Sequence, residues 1–287
     1  MAINFDQQPA NSDGLQSDVD TGQSVRPSAG RITYGAASLG TVVVIWLLLT
    51  SVTGVIAPET FPSPIKLAER FFDMLRAPYS GETLLGHVLM SLTRWALGLL
   101  TAVVVGVPVG IALAWIPVVR AAVTPVFELL RYIPPFAWIP IAVLAFGAST
   151  EAQAAVVFVA AFPVCVINTQ TSVSLVDPIF ERAALTLGSK QLRTLRSVVL
   201  PDALPLIFTG VRTAMSNGWM ALVGAELVVG KEGLGFLIAQ GQINNSPATI
   251  VVGMVSIGMI GFLIDVVMQK VQRLVTPWNP VLRAVGK

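Results

Sequence analysis

Residues 154–167 read Ala-Ala-Val-Val-Phe-Val-Ala-Ala-Phe-Pro-Val-Cys-Val-Ile, a run without a single charged side chain. A second apolar block covers Thr41 to Leu49. Over the 287 residues, 54% are hydrophobic and only 12% are charged, whereas about a quarter of the residues of a soluble domain are charged. A helix that crosses a bilayer needs roughly 20 mostly apolar residues, and this chain has room for several. The composition therefore predicts an all-α polytopic membrane protein.

Apolar length and helix-breaking residues on either side of this run predict six transmembrane helices with a disordered tail before them. The predicted spans are 36–56, 88–116, 122–147, 151–172, 205–229 and 248–270. They make residues 32–275 one transmembrane domain, preceded by the polar tail 1–31 and followed by a short tail, 276–287. The last long connection, Gly230 to Pro247, is rich in Gly and Asn and is predicted to be a loop.

The distribution of Lys and Arg predicts the orientation of the chain. With both termini in the cytoplasm, most of the 18 basic residues lie on the inner side, few lie on the outer side, and three lie in or beside spans. The inner set is Arg26, Arg31, Arg120, Arg182, Lys190, Arg193, Arg196, Lys270, Arg273, Arg283 and Lys287; the outer set is Lys66, Arg70, Arg76 and Lys231; the third set is Arg94, Arg131 and Arg212. The positive-inside rule therefore predicts a multi-pass protein of the inner (plasma) membrane with cytoplasmic termini. The net charge of +2 gives no indication of a nucleic-acid partner.

The segment between spans four and five, residues 174–204, is charged and favours helix. Residues 178–187 are predicted to form a short helix that stops at Gly188, because glycine tolerates a positive φ. Residues 189–200 are predicted to form a second helix that ends at Pro201, because proline lacks a backbone donor. The segment is then a helix–glycine–helix elbow suited to docking another protein; a plain connecting loop is the alternative.

The spacing within this elbow resembles the signature of bacterial ABC-importer permeases. That signature has two alanines, three residues, a glycine, nine residues, an aliphatic residue, any residue and then Leu-Pro, and the matching positions are Ala183, Ala184, Gly188, Val198, Leu200 and Pro201. The glutamate that usually precedes the alanines is Arg182 here, and Glu181 lies one position earlier. A contact of that glutamate with an ATPase would have to be shifted or replaced.

The resemblance extends from about Phe61 to Trp278 and is greatest to the nitrate/sulfonate/taurine branch of these permeases. The residues that carry it are Arg131-Tyr-Ile-Pro-Pro135, Trp138-Ile-Pro140, Phe146-Gly147, Gly210-Val-Arg212, Ala225-Glu226-Leu227 and Gly233-Leu-Gly235. The resemblance implies a five-helix core of the type I importer kind with one extra N-terminal helix.

The same resemblance implies the partners. It implies two permease subunits, expected to be a homodimer, with two ATPase subunits and an external solute-binding protein, all assembled in membrane lipid. In such importers the first elbow helix is a coupling helix that sits in a groove of the ATPase, which gives this role to Glu181, Arg182 and the signature residues. The implied solute is a small anion such as a sulfonate, taurine or nitrate; a neutral or heteroaromatic solute is the alternative.

Span five carries a polar face that is a candidate for the solute path. Its members recur at spacings of three or four residues and so share one helix face; they are Thr209, Arg212, Ser216, Trp219, Val223 and Glu226. Charges against lipid are costly, so this face is expected to meet protein or water between two permease subunits. Arg131, Asn168 and Gln170 are expected to contribute from spans three and four.

Each of these residues also has a structural interpretation. Glu128 can neutralise Arg131 three residues later, and Arg212 can snorkel or pair with Asp202. Glu226 can cap amides of the outer loop, and Trp219 can act as a gate or a packing element. Structural roles are also expected for several other residues, namely His87, Cys165, an Asp265 that pairs with Lys270 or caps a helix, and the closely packed Gly106 and Gly110 beside Pro108.

No catalytic motif is visible in the sequence. With one histidine and one cysteine, the chain has no His-Glu-x-x-His pair and no metal-spaced cysteines, and it has no Gly-x-Ser-x-Gly elbow. Glu232 follows Gly230-Lys231 where a phosphate-binding loop requires Ser or Thr. The sequence therefore predicts no enzyme activity, no cofactor and no metal, with ATP hydrolysis on a separate chain. A secondary transporter is the rival interpretation, although no internal repeat supports it.

Overall fold

The computed structural model describes residues 29–52 and 61–278, and these ranges are helical apart from connecting turns and one isolated β-bridge between Tyr79 and Glu82. The helices are α1 (Ala29–Leu47), α2 (Pro64–Arg76), α3 (Leu84–Trp115), α4 (Pro117–Leu130), α5 (Ile139–Phe146), α6 (Thr150–Ser174), α7 (Pro178–Thr186), α8 (Gln191–Thr194), α9 (Leu200–Val229), α10 (Leu234–Ile243) and α11 (Pro247–Val275). A π-helical turn, Leu48–Val52, follows α1; a 3₁₀ turn, Pro135–Trp138, precedes α5; and a second π-helical turn, Leu195–Val199, joins α8 to α9.

Four helical stretches of the described ranges are long and apolar enough to cross a membrane: α3, α6, the stretch Gln191–Val229, and α11. The bent pair of α4 and Pro135–Phe146 makes a fifth candidate. In the predicted first span, 36–56, the described part contains only a shorter apolar helix, Gly40–Thr50, and its last four residues lie outside the described ranges. The all-α membrane architecture is confirmed, and the count of six spans stays a prediction.

The two predicted tails lie mostly outside the described ranges, which begin at Ala29 and end at Trp278. α1 already starts at Ala29, three residues inside the predicted tail 1–31. The disorder and the location of these tails therefore stay predictions.

The centre of the fold is α6, which packs along α3 on one side and along α9 on the other. Glycines of α3 set the first of these contacts. A Cβ atom added at Gly98 would lie 2.4 Å from the carbonyl oxygen of Ala154, and one added at Gly110 would lie 2.7 Å from that of Val166. Gly106 meets the Cβ atom of the buried Cys165 in the same way, at 2.8 Å. The backbones thus approach as closely as glycine permits, which is how helices gain packing energy in lipid.

These contacts confirm the predicted packing role of Gly106 and Gly110. They also confirm that Cys165 is a buried small residue. α3 continues as a helix through Pro108 without a break.

The predicted third span, 122–147, is two helices at about a right angle. α4 ends at Leu130, the next helical turn begins at Pro135, and the two axes differ by 90°. The sequence Ile133-Pro134-Pro135 explains the break, because neither proline can donate a backbone hydrogen bond and each drives the residue before it out of the helical region. Pro134 accordingly has φ −56° and ψ 138°.

The prediction that the second elbow helix ends at Pro201 is wrong. Helix continues from Gln191 to Val229 through both Pro201 and Pro205. The π-helical turn Leu195–Val199 lies just before the first proline, and in it the Leu200 N–H donates to the Leu195 carbonyl, five residues back. This wider turn shifts the hydrogen-bond register and makes room for the ring, so that Pro201 does not terminate the helix.

Candidate functional site

The first helix of the elbow, α7, has well-formed caps at both ends. The carboxylate of Asp177 accepts a hydrogen bond from the Ile179 N–H at 2.9 Å, and Pro178 occupies the first helical position. At the other end Gly188 has φ +83°, and the N–H groups of Gly188 and Ser189 donate to the carbonyls of Leu185 and Ala184. This is the glycine-dependent C-terminal motif of helices. The predicted stop at Gly188 is confirmed.

Beyond Gly188 the elbow is anchored in the bundle. The Thr194 side chain is fully buried, and its hydroxyl group donates to Ser189 Oγ at 3.0 Å. Leu195 and Val199 are buried in one apolar cluster with Val173 at the end of α6. Because α8, the π-helical turn and α9 are continuous, the elbow joins the bundle through helix.

In contrast, the described part of the chain leaves α7 largely uncovered. None of its nine residues is buried. Its exposed side and the turn after it carry large apolar side chains, and Leu187 is 89% exposed. The other large exposed apolar residues here are Ile179, Phe180 and Leu185. Exposed apolar patches of this kind are typical of sites that contact another protein or a membrane.

The last residues of the elbow signature meet the start of α7 at the surface. Val198 and Pro201 lie around one open cavity of about 440 Å³ together with Phe180 from α7 and Asp202 from α9. The remaining signature residues range from half-buried to exposed: Ala184 and Leu200 are half-buried, whereas Ala183 and Gly188 are exposed. Glu181 is half-buried, and Arg182 is exposed.

The polar face of α9 meets α11 in a groove of about 300 Å³. Arg212 forms a two-point ion pair in this groove with Asp265 of α11: Nε contacts Oδ1, and a terminal guanidinium nitrogen donates to Oδ2 at 2.7 Å. The side chains of Arg212 and Asp265 are 36% and 33% exposed. Neither of the expected pairs, Arg212 with Asp202 and Asp265 with Lys270, is formed.

Three other residues of this face lie in or near the groove. Ser216 is exposed and lines it. Trp219 also lines it but is buried, and its indole N–H donates to the Ile257 carbonyl at 3.3 Å, which fits a packing element. Thr209 lies outside the groove lining and accepts a hydrogen bond from the Gln272 amide at 3.1 Å.

The sixth member of the predicted face, Glu226, does not reach the groove. It is fully buried near the end of α9 that lies farthest from the elbow. One carboxylate oxygen accepts from Ser91 Oγ at 2.8 Å and from Arg94 at 3.2 Å. The other accepts from the Gly235 N–H at 2.9 Å. The interpretation of Glu226 as a cap for loop amides is confirmed, and we leave it out of the proposed solute path.

His87 belongs to the same buried cluster. Its Nδ1 accepts from the Gly233 N–H at 3.0 Å, so Nε2 carries the proton and donates to the Tyr79 carbonyl at 3.0 Å. Arg94 also donates to the Glu232 carbonyl at 2.7 Å. The structural role expected for His87 is confirmed.

Sequence reasoning missed this cluster as a unit. Its three members on α3, His87, Ser91 and Arg94, lie four and three residues apart, which places them on one face of the helix. This spacing along the sequence could have indicated that the three side chains act together. The prediction of a loop over residues 230–247 is wrong in its middle part, where α10 is helical. The cluster pins the segment before α10 to α3 through the N–H groups of Gly233 and Leu234.

Arg131 lies apart from Arg212, at the break after α4. It pairs with Glu128 at 2.5 Å and donates to the Tyr132 hydroxyl at 3.1 Å. It borders a cavity of about 240 Å³ with aromatic walls from Phe127, Trp138, Phe158 and Phe162. Of the predicted contributors from α6, the Asn168 amide donates to the Val164 carbonyl at 2.8 Å. The structure therefore places the two arginines in separate cavities.

Together, a bundle of spanning helices, an uncovered elbow and a polar groove between two spans define a multi-pass membrane protein of the transport class. Residues 106–279 match the family described as binding-protein-dependent transport system inner membrane component. The chain belongs to this family, and it is a multi-pass inner-membrane permease of an ABC transport system.

Curated relatives are similar over most of the chain. The taurine transport system permease protein of Escherichia coli (strain K12) is 32% identical over 254 residues, which cover 88% of this chain and 92% of that protein. The nitrate import permease protein of Synechocystis sp. is 30% identical over 252 residues, covering 86% and 90%. The bicarbonate transport system permease protein of Synechococcus elongatus is 34% identical over 230 residues, covering 77% and 81%. The resemblance to the nitrate/sulfonate/taurine branch is confirmed.

The fold is also found among solved structures. A chain of the MetNI methionine ABC transporter, in an inward facing conformation, superposes with a TM-score of 0.60 at 20% identity and covers 67% of this chain and 96% of that one. A chain of an amino acid ABC transporter superposes with a TM-score of 0.53 at 18% identity and covers 76% and 98%. These similarities show that the helical architecture is shared.

Proposed function

We propose that this chain is the transmembrane permease subunit of an ATP-driven importer, with its elbow and both termini in the cytoplasm. The observation that carries the proposal is the connection of the uncovered α7 to a 39-residue stretch of uninterrupted helix, Gln191–Val229. At 1.5 Å per residue this helix is roughly 58 Å long, enough to connect the elbow to the opposite face of the membrane. It lines the candidate groove about halfway along its length.

This geometry supports mechanical coupling to a separate ATPase. The closing of two ATPase subunits on ATP moves α7, and the turn at Gly188 passes the movement to the helix that bears Arg212 and Ser216. A nucleotide can bias a permease between two states only through such a difference in contacts. The exposed Arg182 and Ala183 belong to this docking surface, the half-buried Glu181 lies at its edge towards the rest of the chain, and the cavity beside Val198 and Pro201 extends the surface.

The groove between α9 and α11 is the proposed solute path. Arg212 and Asp265 each expose about a third of their side chains there, and a charge that faces lipid near mid-membrane costs roughly 2.5–3.5 kcal/mol even by the lowest scales. A second copy of the chain across this face removes that cost and closes the groove into a path. The assembly we propose has two permease subunits, two ATPase subunits and an external solute-binding protein.

For the solute we propose a small molecule with an acid group. The similar permeases are those of taurine, nitrate and bicarbonate transport systems, and Arg212 provides a guanidinium group in the groove. Asp265 already holds two of its nitrogens, so an anion must compete with that carboxylate. A heteroaromatic solute is the second candidate, favoured by the aromatic cavity of Phe127, Trp138, Phe158 and Phe162 next to Arg131.

Purification and reconstitution test the proposal. The tagged chain, purified from its native host, should bring an ATPase with it. In liposomes that contain the copurified ATPase and are supplied with the solute-binding protein, uptake of labelled taurine, nitrate or a heteroaromatic compound should require ATP and should continue when ion gradients are collapsed. A chain that transports alone, driven by an ion gradient, would show that it is a secondary transporter.

A further inference from the structure

The outward face of α7 has a positive charge at its centre. Glu181 and Ala184, three residues apart, are half-buried and so mark the side of the helix that faces the rest of the chain. Ile179, Arg182 and Thr186 are exposed and lie on the opposite side. Arg182 is thus placed in the middle of the surface that residues 29–52 and 61–278 leave uncovered.

The elbow contains three basic residues besides Arg182. Lys190, Arg193 and Arg196 are exposed too, and within residues 29–52 and 61–278 none of these four cations forms an ion pair. Of the three acidic residues of the elbow, Asp177 caps the start of α7, Glu181 borders a polar cavity between α7 and the ends of α3 and α6, and Asp202 lies beside Pro201 at the start of α9. The outward face of α7 itself is therefore apolar and cationic.

We propose that the ATPase groove that receives α7 is acidic and that a carboxylate of the ATPase faces Arg182. This inference rests on the proposed coupling role of the elbow. The proposed arrangement of charges is the reverse of the one that the signature implies, because the signature has a glutamate at this position of the permease. A guanidinium covered by a partner must find an acceptor, because an unpaired charge removed from water is strongly unfavourable. A carboxylate meets this need with two parallel hydrogen bonds.

The apolar neighbours of Arg182 strengthen such a pair. Ile179 and Leu187 are 65% and 89% exposed, and a partner that buries them also excludes water from the charges between them. In these surroundings charge complementarity decides which partner is accepted, because like charges placed opposite each other repel. The chain therefore selects its own ATPase and rejects one whose groove is built to receive a glutamate.

Cross-linking in the purified complex tests the charge of the groove. Lys190 is the one lysine of the elbow sequence. In a Lys190→Gln/Arg182→Lys double variant, the only lysine amine of the elbow is therefore at position 182. A carbodiimide, which joins amines to carboxylates at zero length, should link this amine to an Asp or Glu of the copurified ATPase, as identified by peptide mass spectrometry. The Lys190→Gln single variant, which lacks an elbow amine, should give no such link.

An amine-to-amine reagent separates two kinds of failure. If it joins position 182 to the ATPase but the carbodiimide does not, the elbow is docked and the acidic groove is disproved. If no ATPase copurifies, or neither reagent links the elbow to it, the coupling proposal fails and this inference fails with it.

Charge reversal gives a second measurement. Arg182→Glu should lower the amount of ATPase retained per permease roughly tenfold or more, as expected for the removal of one partner from a buried charge pair. Arg182→Lys, which keeps the charge, should retain most of it. Size-exclusion chromatography reports separately whether the variant is folded. If folded Arg182→Glu retains as much ATPase as the unmodified chain, the inference is overturned.

Discussion

The buried pair of Arg94 and Glu226 allows a sharp test of the structure. Both oxygens of the carboxylate accept hydrogen bonds, one from Ser91 and Arg94 and the other from Ser91 and the Gly235 N–H. Glu226→Gln keeps the shape but turns one oxygen into an NH₂ group. In either orientation that group points at a donor, Arg94 or Gly235. The variant therefore leaves Arg94 without its buried counter-charge and, in either orientation, places two N–H donors against each other.

The exposure of the pair sets the expected cost. The side chains of Arg94 and Glu226 are 7% and 0% exposed, and the removal of one partner from such a pair costs roughly 3–5 kcal/mol. Glu232, whose carboxylate lies 3.8 Å from Arg94, compensates for part of the loss, so we expect a value of about 3 kcal/mol. At roughly 2–4 °C per kcal/mol for a domain of 150–250 residues, the melting temperature should fall by at least several degrees.

The chain offers a matched control. Glu128 and Arg131 also form an ion pair, but their side chains are 43% and 29% exposed, and exposed pairs contribute only about 0–1 kcal/mol. Thermal unfolding in detergent, followed by tryptophan fluorescence, should show a large loss for Glu226→Gln and a small one for Glu128→Gln. Equal melting temperatures for the two variants would refute the reasoning, because burial would then not decide the cost.

Four further predictions each concern a single residue. Gly188→Val should insert normally but lose ATP-driven uptake, since valine is strained at a φ of +83°; Gly81→Val, which imposes the same strain at φ +105° away from the elbow, should transport, and normal uptake by Gly188→Val would exclude the elbow from coupling. Gly98→Ala should destabilise the bundle by about 1–3 kcal/mol in a thermal melt, because the added atom lies 2.4 Å from a backbone oxygen of α6, whereas Gly40→Ala, with nothing within 4 Å, should not; similar losses in both would contradict the close packing. Arg212→Ala should abolish uptake yet keep the ATPase bound in a pull-down, and wild-type uptake would remove Arg212 from the solute path. Cys165, which is fully buried, should react with a maleimide only after denaturation, and rapid labelling of the native protein would contradict its position between α3 and α6.

The sequence and the structure agree most closely where a feature is local. The length of an apolar run predicts a spanning helix, because a bilayer stabilises apolar side chains and helical backbone hydrogen bonds regardless of which other helices lie nearby. The stop at Gly188 follows from the conformational freedom of one residue. Two predictions from other local features were wrong. The span predicted as continuous is broken at Ile133-Pro134-Pro135, and Pro201, predicted to end a helix, lies inside one because a π-helical turn precedes it.

The membrane class, the elbow and its signature were thus determined by the sequence alone, through hydropathy and spacing along the chain. The partners of the charged residues were decided only by tertiary structure. Arg212 pairs with Asp265, 53 residues away, and Glu226 with Arg94, 132 residues away. The helix periodicity of α9 placed Arg212 and Glu226 on one face. Arg212 nevertheless lines an open groove, whereas Glu226 is buried against α3 and α10. The physical reason is that burial and charge pairing depend on distances between helices, and those distances are fixed by packing contacts such as the glycines of α3 against α6.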